Sequence, residues 1–216
     1  MQFLATIVPA IVLVYIFYTF DKFPEPKKYI IITFILGILI SFPAGYLNFF
    51  ADNYLNKTID NNSPYLFLKT LIPGPVVEEL LKYFILVFYC LRLSAFDEPM
   101  DGLVYGSTAA LGFAMIENFQ YVYNASDFNS SWQDVAWVRA FLTIPMHGST
   151  GVILGFFLSY YYFYKKKIFF YIGPLVAILI HFLYNYGYFE IMVIVSLIVI
   201  FFMFKHLRKK QNSITY

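Results

Sequence analysis

Cysteine and charge are both scarce in this sequence. Cys90 is the single cysteine among 216 residues, which excludes an internal disulfide. Charged residues make up 13% of the chain, against 60% hydrophobic residues and a mean hydropathy of +0.66. A soluble domain needs more polar residues to cover its surface. The composition therefore indicates an integral membrane protein in a lipid bilayer. The net charge of +2 is too small to indicate a nucleic-acid-binding surface.

Long apolar runs take the place of the missing charge. A membrane span needs about 20 mostly apolar residues to cross a hydrocarbon core about 30 Å thick. About seven segments approach that length, at residues 3–20, 29–51, 65–92, 101–123, 135–164, 168–187 and 189–205. We predict an all-α fold, a polytopic membrane helical bundle of about seven transmembrane helices in the cell membrane.

The lysines and arginines between these runs predict the orientation. Cytoplasmic loops of membrane proteins are enriched in both residue types. They cluster after the first, third, fifth and seventh runs, as Lys22, Lys27, Lys28, Arg92, Lys165, Lys166, Lys167, Lys205, Arg208, Lys209 and Lys210. We expect the N-terminus to be outside and the C-terminus to be cytoplasmic.

The stretch "IPGPVVEELLKYFILVF", residues 72–88, places three ionisable residues in the third run. Its Pro-Gly-Pro sequence should break the helix, which can restart at Pro75. Glu78 and Glu79 then lie in the first turns, within reach of Lys82. A structural ion pair is one interpretation. We favour a functional site, because buried ionisable groups in membranes are costly and usually face a cavity or pathway.

Three later runs carry polar residues at a matching depth. They are Glu117 and Asn118 in the fourth run, His147 in the fifth, and His181 and Asn185 in the sixth. We expect four helices to converge on one water-accessible cavity near the outer side. Small residues that permit close helix packing recur at intervals of about four, as Gly102, Gly106, Ala110 and Ala114, and as Gly151, Gly155 and Ser159.

Four motifs carry a resemblance to a known family. They are "EELLK", "DEPMDGLVYGSTAALGFAMIENFQY", "MHGSTG" and "HFLYN". In this order they resemble the successive motifs of the PrsW family of membrane proteases, which is distantly similar to the CPBP group with its CAAX-processing proteases. This chain has EExxK where many CPBP members have EExxxR. The resemblance implies a single integral membrane protease domain over residues 1–216, with a catalytic core at about residues 73–186.

The resemblance also implies a substrate class. The family role is site-1 cleavage of a single-pass membrane protein, an anti-sigma factor, in regulated intramembrane proteolysis. We therefore predict an intramembrane endopeptidase that cuts such a partner near its extracytoplasmic side. The substrate helix should unwind locally, since helical hydrogen bonds shield its backbone carbonyls.

The residue types predict how the reaction proceeds. Two adjacent carboxylates in a low-dielectric cavity resist simultaneous ionisation, so one can keep a proton while the other is charged. We predict that Glu78 or Glu79 takes a proton from the attacking water. His147 and His181 should stabilise the oxyanion and help to deliver a proton to the leaving amine. The supporting residues are Lys82, which holds the pair, Glu117, which can orient a histidine or water, Asn118 and Asn185.

No metal cofactor is favoured, and zinc is the open alternative. Its ligands would be His147 and His181 with Glu78, Glu79 or Glu117, and a bound water would have a pKa near 7. PrsW proteins have been grouped with metallopeptidases on such reasoning. The chain has no HExxH motif, and the resemblance to CPBP proteases favours the metal-free glutamate mechanism.

Two other classes of protein would use similar residues. A small proton or ion transporter can place buried ionisable groups beside broken helices, and a binding protein can retain the fold without chemistry. A transporter needs a continuous path to both sides, whereas the polar positions here cluster at the outer level. The intact glutamate pair, both histidines and Asn185 argue against lost chemistry.

The inner-loop stretch "FDEPMDG" lies opposite the predicted cavity. Asp101 is placed to cap the fourth helix, because an aspartate there can accept a backbone hydrogen bond. Glu98 is expected to pair with Arg92 or another inner-loop cation.

Overall fold

The computed structural model describes residues 1–213, in which helices are joined by short loops and no strand occurs. The predicted all-α fold class is confirmed. The helices are α1 (Gln2–Thr19), α2 (Lys27–Thr58), α3 (Leu68–Leu71), α4 (Val77–Phe88), α5 (Pro99–Tyr123), α6 (Trp132–Val138), α7 (Ile144–Tyr164), α8 (Phe169–Asn185) and α9 (Phe189–Ser213).

Helix α5 forms the centre of the bundle. Every residue of the range 100–114 is buried, and α7, α2 and α1 pack around it. A Cβ added at Gly106 would collide with the carbonyl oxygen of Gly151, and one at Gly155 would collide with that of Gly102. The predicted rows of small residues therefore face each other, which lets the α5 and α7 backbones approach closely.

The third apolar run is broken at Pro73 and Gly74, as its Pro-Gly-Pro sequence predicts. Gly74 has a φ of +83°, in the left-handed region that glycine adopts without a steric penalty. Its amide donates a hydrogen bond of 2.9 Å to Oδ1 of Asn48 on α2. Because α4 begins just after this break, Glu78 and Glu79 lie in a first turn.

The outside of the bundle is apolar. Helices α1, α2 and α9, together with the continuous segment Trp132–Tyr164, are long and apolar enough to cross a membrane. Helix α8 is apolar but shorter. Large aliphatic and aromatic side chains of α1, α2 and α9 are exposed, as a lipid-facing surface requires. The fold is that of a helical membrane protein, while the number of spans and their orientation stay predictions.

The helix ends differ from the ends of the apolar runs. Helix α2 continues to Thr58 and α9 to Ser213, beyond the predicted limits of residues 51 and 205. Polar residues support a helix once it leaves the hydrocarbon core, so hydropathy marks the membrane limit and not the helix end. The predicted division between the sixth and seventh runs is present at Gly187, which has a φ of +113°.

Candidate active site

The ionisable residues of the third run form a buried group at the start of α4. Glu78, Glu79 and Lys82 are 6%, 0% and 1% exposed. Nζ of Lys82 lies 2.8 Å from Oε1 of Glu79 and 3.8 Å from Oε2 of Glu78. These contacts follow from the i, i+3 and i, i+4 spacings on one helix. One ammonium therefore reaches both carboxylates, as the sequence predicts.

Helix α8 brings His181 to Glu79. Nδ1 of His181 lies 2.8 Å from Oε1 of Glu79, which also receives the Lys82 hydrogen bond. A carboxylate beside an ammonium accepts hydrogen bonds, so Nδ1 of His181 carries the hydrogen and donates a hydrogen bond to Glu79. This fixes the tautomer of the imidazole. His181 lines the cavity described below, and Nε2 is the ring nitrogen that it can offer there.

Helix α7 brings His147 to the other side of Lys82. Nδ1 of His147 lies 2.8 Å from Nζ of Lys82, and Nε2 lies 2.8 Å from Oε2 of Glu117. An ammonium can only donate hydrogen bonds. Nδ1 of His147 must therefore accept the hydrogen bond from Lys82. Nε2 of His147 carries the hydrogen and donates a hydrogen bond to Glu117. Among the roles open to Glu117 in the sequence, the geometry matches orientation of a histidine.

A cavity of about 440 Å³ opens beside these residues. Glu78, Glu117, His147 and His181 line it, whereas Glu79 and Lys82 are not among the lining residues. Oε2 of Glu78 and Oε2 of Glu79 are both buried and have no hydrogen-bond partner within the described residues, so only the lining of the cavity separates the two. Of the two adjacent glutamates, Glu78 is thus the one available to a water or a peptide in the cavity.

The two predicted supporting asparagines lie in different surroundings. Asn185 lines the cavity. Asn118 is fully buried and is not among the lining residues. Nδ2 of Asn118 donates to the carbonyl of Thr6 at 3.1 Å, and Oδ1 accepts from Nε of Arg139 at 3.1 Å. Asn118 therefore positions Arg139 and is separated from the reacting space.

Arg139 and Asn48 are site residues that the sequence analysis did not single out. Nη2 of Arg139 lies 3.0 Å from Oε2 of Glu117. Nδ2 of Asn48 donates to Oε1 of Glu78 at 3.1 Å. The sequence shows Arg139 as a cation near the start of the fifth apolar run and Asn48 as an amide inside the second. Neither has a spacing that links it to the glutamates, because both contacts are made between helices far apart in sequence.

Glu78, His147 and His181 fit a metal site in residue type and spacing. One ligand atom of each lies within 4.8 Å of the others, and the two imidazole centroids are 5.0 Å apart. Two imidazoles and a carboxylate are a donor set of catalytic zinc sites. Oε2 of Glu78 and Nε2 of His181 suit this role directly. His147 would have to exchange its contact with Lys82 or Glu117.

Comparison with known proteins agrees with the resemblance of the motifs. The model of a family described as PrsW family intramembrane metalloprotease matches residues 25–207. The chain belongs to the PrsW family. Every predicted site residue lies inside the matched range, together with Arg139 and Asn48.

Several relatives from the PrsW family are similar over much of the chain. Protease PrsW of Oceanobacillus iheyensis is 30% identical over 155 residues, and that of Bacillus subtilis 31% over 156. Each alignment covers 72% of this chain and 66% of the relative, so the chain spans just under two thirds of their length. Protease PrsW of Shouchella clausii is 24% identical over 97% of the chain and 96% of its own length. No solved structure matches.

Glu98 and Asp101 lie at the other end of α5 from Glu117, about 25–30 Å away at about 1.5 Å per residue. Oδ2 of Asp101 accepts hydrogen bonds from the amides of Asp97 and Glu98, at 2.8 and 2.7 Å. The expected capping role of Asp101 is therefore confirmed.

The expected ion pair of Glu98 is wrong for the described residues. Glu98 accepts a hydrogen bond from the side-chain amide of Gln211, and Arg92 lies over the ring of Phe88. The reason is tertiary, because α9 packs against the start of α5 and brings Gln211 to Glu98.

Proposed function

We propose that the protein is an intramembrane endopeptidase that hydrolyses a peptide bond of a single-pass membrane protein near its extracytoplasmic side. The observation that carries this proposal is that Glu78, whose Oε2 has no hydrogen-bond partner within the described residues, lines one cavity with His147 and His181. Asn48 holds only Oε1 of this carboxylate, so Oε2 keeps an acceptor site with which Glu78 can act on water. Membership of the PrsW family favours peptide hydrolysis over the ion transport that the same residues would suit.

Glu78 is the proposed general base. Its Oε2 takes a proton from water, the water oxygen attacks the scissile carbonyl carbon, and protonated Glu78 returns the proton to the leaving amine. The other oxygen, Oε1, is held by the amide of Asn48. Lys82, which does not line the cavity, balances the negative charge of Glu78 and Glu79.

The remaining polar residues divide between two proposed roles. His147 has one N–H, which already points to Glu117, so the oxyanion needs other donors. We assign this role to Asn185 and Arg139, both of which line the cavity. His181 would accept a hydrogen bond from the attacking water at Nε2 and orient it, while Glu79 holds Nδ1.

Zinc is the alternative within the same hydrolysis. Held by Glu78, His147 and His181, it would supply a Lewis acid and lower the pKa of a bound water to about 7. Metal content and activity of the purified protein decide between the two routes. Full activity without bound metal supports the glutamate route that we favour. Loss of activity with a chelator, restored by zinc, supports the zinc route.

The proposed partner is an anti-sigma factor, and the cleavage would be the site-1 step of regulated intramembrane proteolysis at the cell membrane. The motif resemblance supports this substrate class. We propose that an extended peptide binds in the cavity, where the broken backbone at Pro73 and Gly74 forms part of the wall. A substrate helix must unwind locally before cleavage, because its helical hydrogen bonds otherwise shield the backbone carbonyls.

The test combines purified protein with candidate single-pass substrates in detergent or liposomes. Glu78→Gln, Glu79→Gln, His147→Ala and His181→Ala are compared with the wild type and with Asp60→Asn, an exposed control. We expect cleavage to fall by about 10²–10⁴-fold in Glu78→Gln, the range for a lost general base, and to be unchanged in Asp60→Asn. Size-exclusion profiles show that each variant folds. Unchanged cleavage in all four site variants would reject the site.

A further inference from the structure

A second group of buried oxygens lies at the opposite end of the bundle from the Glu78 cavity. Asp21 lies between α1 and α2, Glu98 and Asp101 at the start of α5, and Gln211 near the end of α9. One oxygen from each of the three carboxylates lies within 4.8 Å of the others. Two distant parts of the chain therefore bring acidic side chains to one point, and a third brings the amide of Gln211.

The negative charge of this cluster lacks a paired cation. Within the described residues, no lysine, arginine or histidine forms an ion pair with Asp21, Glu98 or Asp101. Arg208 acts on Asp21 only through space, since it donates its hydrogen bond to a backbone carbonyl. Glu25, which accepts a hydrogen bond from a buried tyrosine, adds another carboxylate nearby. Burial raises the pKa of Asp21, Glu25 and Glu98.

Several buried oxygens in the cluster have no hydrogen-bond partner. The amide of Gln211 donates to Oδ1 of Asp21 at 2.8 Å and to Glu98. Asp101 uses Oδ2 for two backbone amides. Oδ2 of Asp21, Oδ1 of Asp101 and Oε1 of Gln211 are left buried and unpartnered, on side chains that are 5%, 0% and 3% exposed. The carboxyl groups of Asp21 and Glu98, and those of Asp101 and Glu25, lie in direct contact. Buried polar atoms are usually satisfied, so each pair needs a shared proton or a cation between its oxygens.

We propose that Asp21, Glu98 and Asp101 bind one divalent cation with a preference for oxygen ligands, Mg²⁺ or Ca²⁺, and that the side-chain amide of Gln211 turns over to add its Oε1. Carboxylate and amide oxygens without nitrogen or sulfur are the donor set of these ions. The ion would neutralise the carboxylates and occupy the unpartnered oxygens. A cavity of about 380 Å³ lined by Glu98 and Gln211 gives an entry route. Under the predicted topology, this site faces the cytoplasm.

Such an ion would act as a structural clasp. It would connect the α1–α2 loop to the start of α5, the central helix, and to α9. The Glu78 cavity is built on the far end of α5 and uses different residues, so the two sites are chemically independent. The proposal does not rest on the peptidase activity.

The test is ion binding by the purified, full-length protein in detergent after removal of bound metal with EDTA. Separate calorimetric titrations with Mg²⁺ and with Ca²⁺ measure binding. The thermal unfolding midpoint is measured with and without each ion. We expect one saturable site per chain and a higher midpoint with the preferred ion. No saturable binding at up to about 10 mM, above the range of the weakest protein calcium sites, would overturn the proposal.

Variants locate the site. Asp21→Asn and Glu98→Gln should weaken binding at least about tenfold, because each removes a charged ligand. Asp60→Asn, exposed after α2, and Glu78→Gln, at the opposite site, should bind as the wild type does. In the absence of ion, Asp21→Asn should unfold at an equal or higher temperature, since it relieves repulsion. Equal binding in Asp21→Asn, Glu98→Gln and the wild type would place the ion elsewhere and reject this site.

Discussion

Lys82 is the residue that connects the polar groups of the candidate site. Its ammonium contacts Glu79, His147 and, at longer range, Glu78, and it lies 4.5 Å from the ring centroid of Phe113. Because an ammonium only donates, it also determines that Nδ1 of His147 is an acceptor. One side chain thus sets both the charge balance and a histidine tautomer.

Substitution of Lys82 should destabilise the protein. Lys82→Met should lower the free energy of unfolding by about 3–5 kcal/mol, because it leaves Glu79 as a buried carboxylate without its cation. Chemical unfolding in detergent micelles measures this, with the exposed Lys57→Met as the control. The double variant Lys82→Met/Glu79→Gln should recover part of the loss. Equal stability of Lys82→Met and Lys57→Met would show that the ion pair contributes little.

At the scale of the element, the break before α4 determines where the glutamates lie. Gly74 turns the chain in a left-handed conformation, and its amide is anchored to Asn48 on α2. The same Asn48 side chain holds Glu78. The break therefore does more than end a helix, because it couples the position of α4 to the carboxylate that faces the cavity.

The contact between α5 and α7 depends on glycine at its closest points. Gly155→Ala should lower the free energy of unfolding by about 1–3 kcal/mol, because the new Cβ would overlap the carbonyl of Gly102 and force the helices apart. Gly45 on α2 is the matched control, since a Cβ there meets no atom within 4 Å.

The control substitution should change stability with the opposite sign. Gly45→Ala is expected to stabilise by about 0.5–1 kcal/mol, the helix preference of alanine over glycine. Unfolding curves for both variants, recorded in the same detergent, give the comparison. Destabilisation of similar size at both positions would mean that close packing is not the cause at Gly155.

At the scale of the whole molecule, the bundle separates two polar regions along its central helix. The Glu78 cavity lies towards the end of α5 that contains Glu117, and the Asp21 cluster lies at its start. The basic loops predict that the first faces outward and the second faces the cytoplasm. Under the proposed function, this orientation sets the side of the membrane on which a substrate would be cut.

Cysteine labelling of intact cells tests the orientation. In a Cys90→Ala background, a membrane-impermeant maleimide should label Asn61→Cys directly and Lys166→Cys only after the cells are permeabilised. Both positions are exposed, whereas Cys90 is fully buried. The reverse labelling pattern would place the Glu78 cavity on the cytoplasmic face and would contradict extracytoplasmic cleavage.

The sequence by itself determined the class of protein and many local features of the site. Apolar runs specify helices in a membrane because a backbone in lipid must satisfy its own hydrogen bonds. The Pro-Gly-Pro break and the spacing of Glu78, Glu79 and Lys82 are likewise local properties of one segment. The rows of small residues predicted faces that permit close helix packing, since only small side chains allow close contact.

Tertiary structure alone decided which groups are paired between helices. The contacts of Asn48 with Glu78, of Arg139 with Glu117 and of Gln211 with Glu98 join helices distant in sequence. No periodicity reports such contacts, because they depend on how far each helix is rotated and shifted against its neighbours. The same packing placed Glu78 on the wall of the cavity while it enclosed Glu79, and so distinguished two carboxylates that are adjacent and chemically equivalent in the sequence.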